Sequence, residues 1–224
     1  MRVILVGCEY VGTTTLAHAI DDWLEANMGV RFSLIHDHWK IPHTSGHPDD
    51  STPEEQEWLL AASPKFKEMH QRHSLYYHVQ ANTFNAHDDG MVIGAAIEDG
   101  VYGPMYFGYG GPGHRLDRET VQRQWENTIL NFTDETVLVH VTAETKVIAK
   151  RLHDDPHDNM VISEGDIDKV KNRFTELVEW SVLDKKIQVD NSGSIADTVA
   201  QFVAKIEPYL TDIDRSRMKE HSSK

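Results

Sequence analysis

Five short apolar runs recur along the chain, and a stretch long enough for a helix separates each from the next. The runs are RVILV (2–6), RFSLIH (31–36), MVIGAAI (91–97), TVLVHV (136–141) and KKIQVD (185–190). Bounded by glycine or polar residues, they read as strands buried on both faces. Segments 13–27, 54–72, 74–87, 117–131, 143–152, 163–182 and 194–209 read as helices. Parallel strands cannot be joined by tight hairpins and need such crossovers. The order therefore predicts a three-layer α/β/α domain on a five-stranded parallel sheet. No repeat or linker divides it, so residues 1–210 are expected to form one domain and the polar tail 211–224 to fray.

Ligands of such sheets sit beyond the carboxyl ends of the strands, which makes the residues just after each run the ones to inspect. The first run leads into GCEYVGTTTL, residues 7–16, with glycines spaced G-x-x-x-x-G ahead of three hydroxyls. A loop of that pattern between strand and helix lets backbone amides curl around phosphate oxygens, with the helix dipole behind them. Gly7, Glu9, Gly12, Thr13, Thr14 and Thr15 are the candidate cradle, and Thr14 takes the position of the hydroxyl that binds Mg²⁺. Thr13 stands where the motif has lysine, and Glu9 places a negative charge among phosphates. The missing lysine weakens catalysis more than binding, because the backbone cradle survives it. A plain glycine turn from strand to helix is the other reading of the same stretch.

The second run is followed by Asp37, placed to accept a proton from a substrate hydroxyl, and by Trp39, placed to wall a base pocket. Both also fit a solvated loop. The third run leads into EDGVY, where Glu98 and Asp99 would hold Mg²⁺ through water, or simply cap a strand end with polar groups.

Bulk properties narrow the class of partner. A formal charge of −14 over 224 residues argues against duplex nucleic acid and anionic membranes, which need basic surfaces. No apolar run approaches the ~18 residues of a membrane span. A single cysteine, Cys8, and the absence of a signal-peptide pattern make a reducing cytoplasm the expected setting.

Taken together, GCEYVGTTTLAHAI, the strand ending in an acid followed by tryptophan, and the strand leading into E-x-x-V-Y resemble the thymidylate kinase and deoxynucleoside kinase group. VLVHVTAETKVIAKRL (137–152) and IQVDNSGSIADTVAQFVAKI are similar to that group's strand-and-helix leading into the lid and to its last strand and helix. The likeness runs over about residues 2–207, through individually loose motifs. It implies ATP and Mg²⁺ as cofactors and a nucleoside or nucleoside monophosphate as acceptor. By the same likeness Asp37 would be the base, Glu98 would organise Mg²⁺ and phosphates, and Thr14, Glu98 and Asp99 would form the metal site. Lys150, Arg151 and Arg115 would approach from lid segments, Arg151 as a catalytic clamp. A homodimer through the first helices would suit that group.

The departures share one direction. Thr13 replaces the loop lysine, Asp99 the arginine of the third-strand motif and Gly100 its serine, and HDDPHD follows Arg151 where further arginines are expected. Phosphoryl transfer rests on positioning and charge stabilisation, and each lost cationic partner costs about 2–4 kcal/mol of barrier. A nucleotide-binding protein without transfer is therefore the alternative function. A sulfotransferase-like enzyme is a third, because GTTT resembles the phosphosulfate loop of that class, although its basic residue is missing.

Other features read as structural. His36, His38, His43 and His47 fall within twelve residues without zinc-ligand spacing, and fit solvated loop histidines. YGPMYFGYGGPG offers Tyr102, Tyr106 or Phe107 for stacking on a base, or equally for packing on the sheet edge. Trp58, Trp125 and Trp180 sit at apolar helical positions expected in core or interface.

Overall fold

In the computed structural model, residues 1–37, 52–78, 88–114, 116–156 and 160–223 are described. Strands β1 (Arg2–Val6), β2 (Leu34–Asp37), β3 (Gly90–Ile93), β4 (Thr136–Thr142) and β5 (Lys186–Asp190) form one sheet in the order β2-β3-β1-β4-β5. Every neighbouring pair is parallel. The expected three-layer architecture is what forms. The chain moves from β1 toward one sheet edge to make β2, and from β3 toward the other edge to make β4 and β5. Because crossovers between parallel strands are right-handed as a rule, such an order puts helices on opposite faces of the sheet. Helix α1 (Thr13–Met28) packs with α8 (Ile195–Ile206) and α9 (Asp212–Ser222) on one side. On the other, α4 (Ala95–Tyr102) packs with α5 (Arg118–Leu130) and α7 (Ile167–Trp180). Val3, Ile4, Leu5 and Val6 are buried because both faces are covered, which is why β1 reads as a continuous apolar run.

The third strand is shorter than expected. It ends at Ile93, and Gly94, at φ 84°, turns the chain into α4 instead of continuing through Ala95–Ile97. The Gly94 N–H donates to Leu5 O at 2.7 Å, which pins the turn against β1. A buried apolar run does not by itself distinguish strand from buried helix, and the two alanines favour helix. Glu98 and Asp99 consequently lie on a helix, not at a strand end.

The glycine-aromatic segment is also more ordered than a loop. Helix α4 passes into a π-helical turn, Gly103–Phe107, and Tyr102, Phe107 and Tyr109 are buried. Pro64 interrupts the expected helix 54–72, since a residue before proline avoids the helical region. Two helices result, α2 (Pro53–Ala61) and α3 (Pro64–His78). Residues 79–87 of the expected second helix lie outside the described part.

The tail 211–223 does not fray. Thr211 and Asp214 form a reciprocal capping box at the start of α9. The buried Asp214 accepts from the Met1 amine at 3.2 Å, and Arg217 reaches Asp89 at 2.8 Å. Polar composition concealed this docking because the helix is held by ion pairs more than by an apolar face. Of the tryptophans, Trp125 is buried, whereas Trp58 is 69% exposed and Trp180 lies under the Arg123 guanidinium, 3.7 Å from its ring centre.

Candidate nucleotide site

Strand β1, flanked by β3 and β4, delivers Gly7–Gly12 to the middle of the sheet's carboxyl edge. Both glycines are required by their surroundings. A Cβ on Gly7 would lie 2.5 Å from Val141 O, and one on Gly12 would lie 2.7 Å from Asn191 Nδ2 at φ 90°. Between them Tyr10 adopts φ 65°, a left-handed conformation that costs a non-glycine residue energy and that collects at functional loops. The Val11 N–H closes the turn on Cys8 O at 2.9 Å.

Helix α1 begins with Leu16 N–H to Gly12 O, and Gly12 provides no side-chain cap. The amides of Thr13, Thr14 and Thr15 therefore fall in the first turn, where a helix has no acceptor of its own. With the macrodipole behind them, they make an anion seat. Thr13 Cγ2 lies 3.5 Å from where a Gly7 Cβ would be, so side chain 13 points across the loop with a methyl instead of an ammonium.

Among the described residues, Arg151 hydrogen-bonds to this loop. Its Nη1 donates to Tyr10 O at 3.2 Å and Val11 O at 3.0 Å, and its Nη2 to Asn191 O at 2.7 Å. Asn191 adds a bond from Nδ2 to Val11 O at 2.7 Å. In a loop whose amides face the ligand, carbonyls face outward, so Arg151 grips the cradle from behind. Those bonds make Arg151 a brace on the loop itself. Lys150 is turned away: it is exposed and paired with Asp154, its i+4 neighbour. Arg115 and Trp39 lie outside the described residues.

The acidic candidates divide. Asp37 ends β2 and accepts from Thr14 Oγ1 at 2.6 Å, which joins two strand ends at the start of α1. Glu98 is half-buried in the first turn of α4. Burial, then Cys8, Glu98 and Glu9, raises the Tyr102 hydroxyl well above its ordinary value, so these groups share one neighbourhood. Tyr102 is buried against Phe174 at 5.9 Å between ring centres, and its hydroxyl accepts from the Glu9 N–H at 2.9 Å, which commits it to the fold. Glu9 is 7% exposed, and its Oε2 accepts from Val161 N–H and Ile162 N–H, both at 3.1 Å.

Asp99 is a correction. It is 0% exposed, ion-paired with Arg118 Nε at 2.6 Å, and accepts from Tyr109 Oη at 2.7 Å. Arg118, 1% exposed, also pairs with Glu68 at 3.1 Å. Burial pushes the Asp99 carboxyl up while Arg118 and Tyr109 pull it down. The side chain points into the α3–α4–α5 packing, so it cannot take part in a metal site in the cleft. Residues 98 and 99 lie on a helix and not at a strand end, and neighbours on a helix point in different directions.

A hard cation fits what remains. Mg²⁺ takes few protein ligands and completes its shell with water and phosphate oxygens, and the Thr14–Asp37 pair supplies a hydroxyl and a carboxylate beside the anion seat. Among the described residues no three His, Cys, Asp or Glu side chains converge as a self-sufficient metal site. Asn191 was missed in the sequence. It is the first residue after β5, so the strand-end rule that found Gly7 and Asp37 would have found it too.

No family model matches this sequence, and no curated protein matches it. Solved structures do. The chain is similar to the YorR protein of Bacillus subtilis in complex with phosphorylated GDP, with a TM-score of 0.58 at 16% identity over 94% of this chain and 99% of that one. It is similar to deoxyadenosine kinase from M. mycoides with the products dCMP and dCDP, with a TM-score of 0.59 at 15% identity over 94% and 100%. The same kinase with dATP gives 0.58 at 12% identity, over 92% and 100%. At these identities the likeness is one of fold: a five-stranded parallel sheet flanked by helices. Among the described residues no helix is long and apolar enough to cross a membrane.

Proposed function

We propose that this chain binds ATP with Mg²⁺ on Gly7–Thr15 and takes a nucleoside or nucleoside monophosphate in the cleft toward Asp37 and Glu98. The observation that carries this reading is the first turn of α1, with its amides opening onto a glycine loop and Thr14 bonded to Asp37. The neighbours named above were solved with guanine, adenine and cytosine nucleotides, which supports a nucleotide as the ligand class. In this reading Thr14 and Asp37 hold Mg²⁺, which supplies charge to the phosphates. Asp37 also faces the acceptor hydroxyl, and Arg151 keeps the loop in shape.

Nucleotide binding without efficient transfer is the second reading, and a specific observation favours it. The arginine nearest the loop spends its hydrogen bonds on carbonyls, and the lysine position holds Thr13. Calorimetry with ADP and ATP, with and without Mg²⁺, tests the first statement. Turnover over a panel of nucleosides and monophosphates, in the parent chain and in Thr13→Lys, separates the two readings. Transfer that appears or rises in Thr13→Lys supports a kinase site weakened at one position. Tight Mg-nucleotide binding with no turnover in either chain supports the binding protein. A second copy of the chain remains part of this reading, and Trp58, Phe66, Met69 and Tyr76 on α2 and α3 are exposed for it.

A further inference from the structure

Beside the Gly7–Gly12 loop, two backbone amides converge on the side chain of one of the loop's own residues. The Val161 and Ile162 amides are consecutive, and both donate to the same oxygen, Glu9 Oε2, at 3.1 Å. Successive amides converging on one acceptor are the arrangement by which backbone binds phosphates and carboxylates. Ile162 is buried, so without an acceptor its amide would be left unpaired away from water, which is costly. Glu9 belongs to the phosphate loop itself, and its backbone is fixed by the bond from its own N–H to Tyr102. Its carboxylate therefore spans from the cradle to the segment that leads into α7. The half-buried Lys171 on α7 adds positive charge here: it acts on Cys8, the residue beside Glu9, and lies 2.9 Å from Thr145 Oγ1.

We propose that Glu9 is an internal stand-in for a ligand anion. The Val161–Ile162 amides are a second phosphate seat, which a phosphoryl group of the bound nucleotide or acceptor takes when the Glu9 carboxylate swings out. The inference rests on the nucleotide-site reading above and extends it by naming two further binding residues. It also accounts for an acid in a loop made for phosphates. In the empty site Glu9 supplies the negative charge that the Val161 and Ile162 donors take. In the filled site the same charge would repel the ligand, so displacement is required. No bond is made or broken; one acceptor replaces another.

The test is a ¹⁵N titration of the full chain with pyrophosphate and with Mg-ADP, followed at the Thr13–Thr15 amides and at the Val161 and Ile162 amides. Calorimetry on the parent, Glu9→Gln and Glu9→Ala accompanies it. Expected are shifts at both groups of amides in the parent. Glu9→Gln should bind pyrophosphate about tenfold tighter, a change of about 1.4 kcal/mol in binding free energy. Cradle amides that shift while Val161 and Ile162 stay still overturn the second seat and leave the nucleotide site standing. Unchanged or weaker binding in a Glu9→Gln chain that melts normally also overturns it. If neither group shifts with either ligand, the nucleotide-site reading fails as well. The parent titration decides the matter even if both variants fold poorly.

Discussion

Two arginines, Arg118 on α5 and Arg151 beside the Gly7–Gly12 loop, show how differently one side chain can be used. Arg118 is entirely enclosed, with Asp99 at 2.6 Å, Glu68 at 3.1 Å and the Tyr109 ring 4.9 Å from its guanidinium carbon. Its charge is cancelled where it stands, and three elements are tied together by it. Arg151 is half-buried and hydrogen-bonds to the carbonyls of Tyr10, Val11 and Asn191, which carry no net charge. Burial lowers its pKa, yet a guanidinium stays protonated at neutral pH. Its positive charge therefore remains beside the cradle. One arginine holds the fold together, and the other braces the Gly7–Gly12 loop while keeping its positive charge beside it.

Breaking each in turn should separate stability from binding. Arg118→Leu leaves Asp99 buried without its cation, a loss of about 3–5 kcal/mol by the general cost of breaking a buried pair. Urea denaturation should show that drop. Any protein still folded should bind Mg-ADP with nearly parental affinity, and a large loss of affinity in the folded fraction would contradict the division of roles.

The next effect is pH-dependent and lies under the loop. Burial drives the His140 imidazole down to about 4, against about 6.5 in an unfolded chain. Between those values the unfolded chain binds the proton and the folded one does not, so stability falls as pH drops from 6.5 toward 4. The loss at the lower end is about 3 kcal/mol. Denaturation at a series of pH values should show this slope, and His140→Gln should flatten it. A slope that survives in His140→Gln would assign the effect to other groups.

Arg151→Ala should cost less stability, about 1–2 kcal/mol for hydrogen bonds from a charged group. Its effect on Mg-ADP binding should be larger in proportion, about tenfold or more, because the carbonyls that shape the loop lose their brace. Arg151→Lys keeps the charge but not the fork, so it should recover part of the affinity and little of the rigidity. Calorimetry that ranks Lys equal to Ala would show that geometry, not charge, is what Arg151 contributes.

The two arginines also mark where sequence reading reached and where it stopped. The sheet, the glycine loop, Thr14 and Asp37 were legible because they follow local rules: apolar runs of strand length, glycines at fixed spacing, acids at strand ends. Arg151 was found as a residue near the site, but its partners are backbone carbonyls distant in sequence, which no spacing encodes. Arg118 and Asp99 were not recognisable as a pair. Two charged residues nineteen positions apart look solvated until packing encloses them both. The docking of α9 was hidden for the same reason, since its anchors are ion pairs to Met1 and Asp89.

The smallest expected effect sharpens the contrast at the level of the backbone. Among the described residues two non-glycine positions adopt left-handed φ, Tyr10 at 65° on the loop that Arg151 braces and Ala95 at 52° at the start of the helix that carries Asp99. Glycine relieves about 1 kcal/mol of such strain, although it also loosens the unfolded chain and so returns part of that gain. Ala95→Gly should therefore change stability by less than about 1 kcal/mol and leave Mg-ADP binding alone, because Gly94 is already anchored to Leu5. Tyr10→Gly should be equally mild in denaturation but weaken binding several-fold, since the strained residue helps keep the amides turned inward before the ligand arrives. Parallel melts and titrations of the two variants give the comparison directly. If Tyr10→Gly binds as well as Ala95→Gly, the brace from Arg151 and Asn191 is sufficient to shape the cradle, and the strain at Tyr10 is incidental to it.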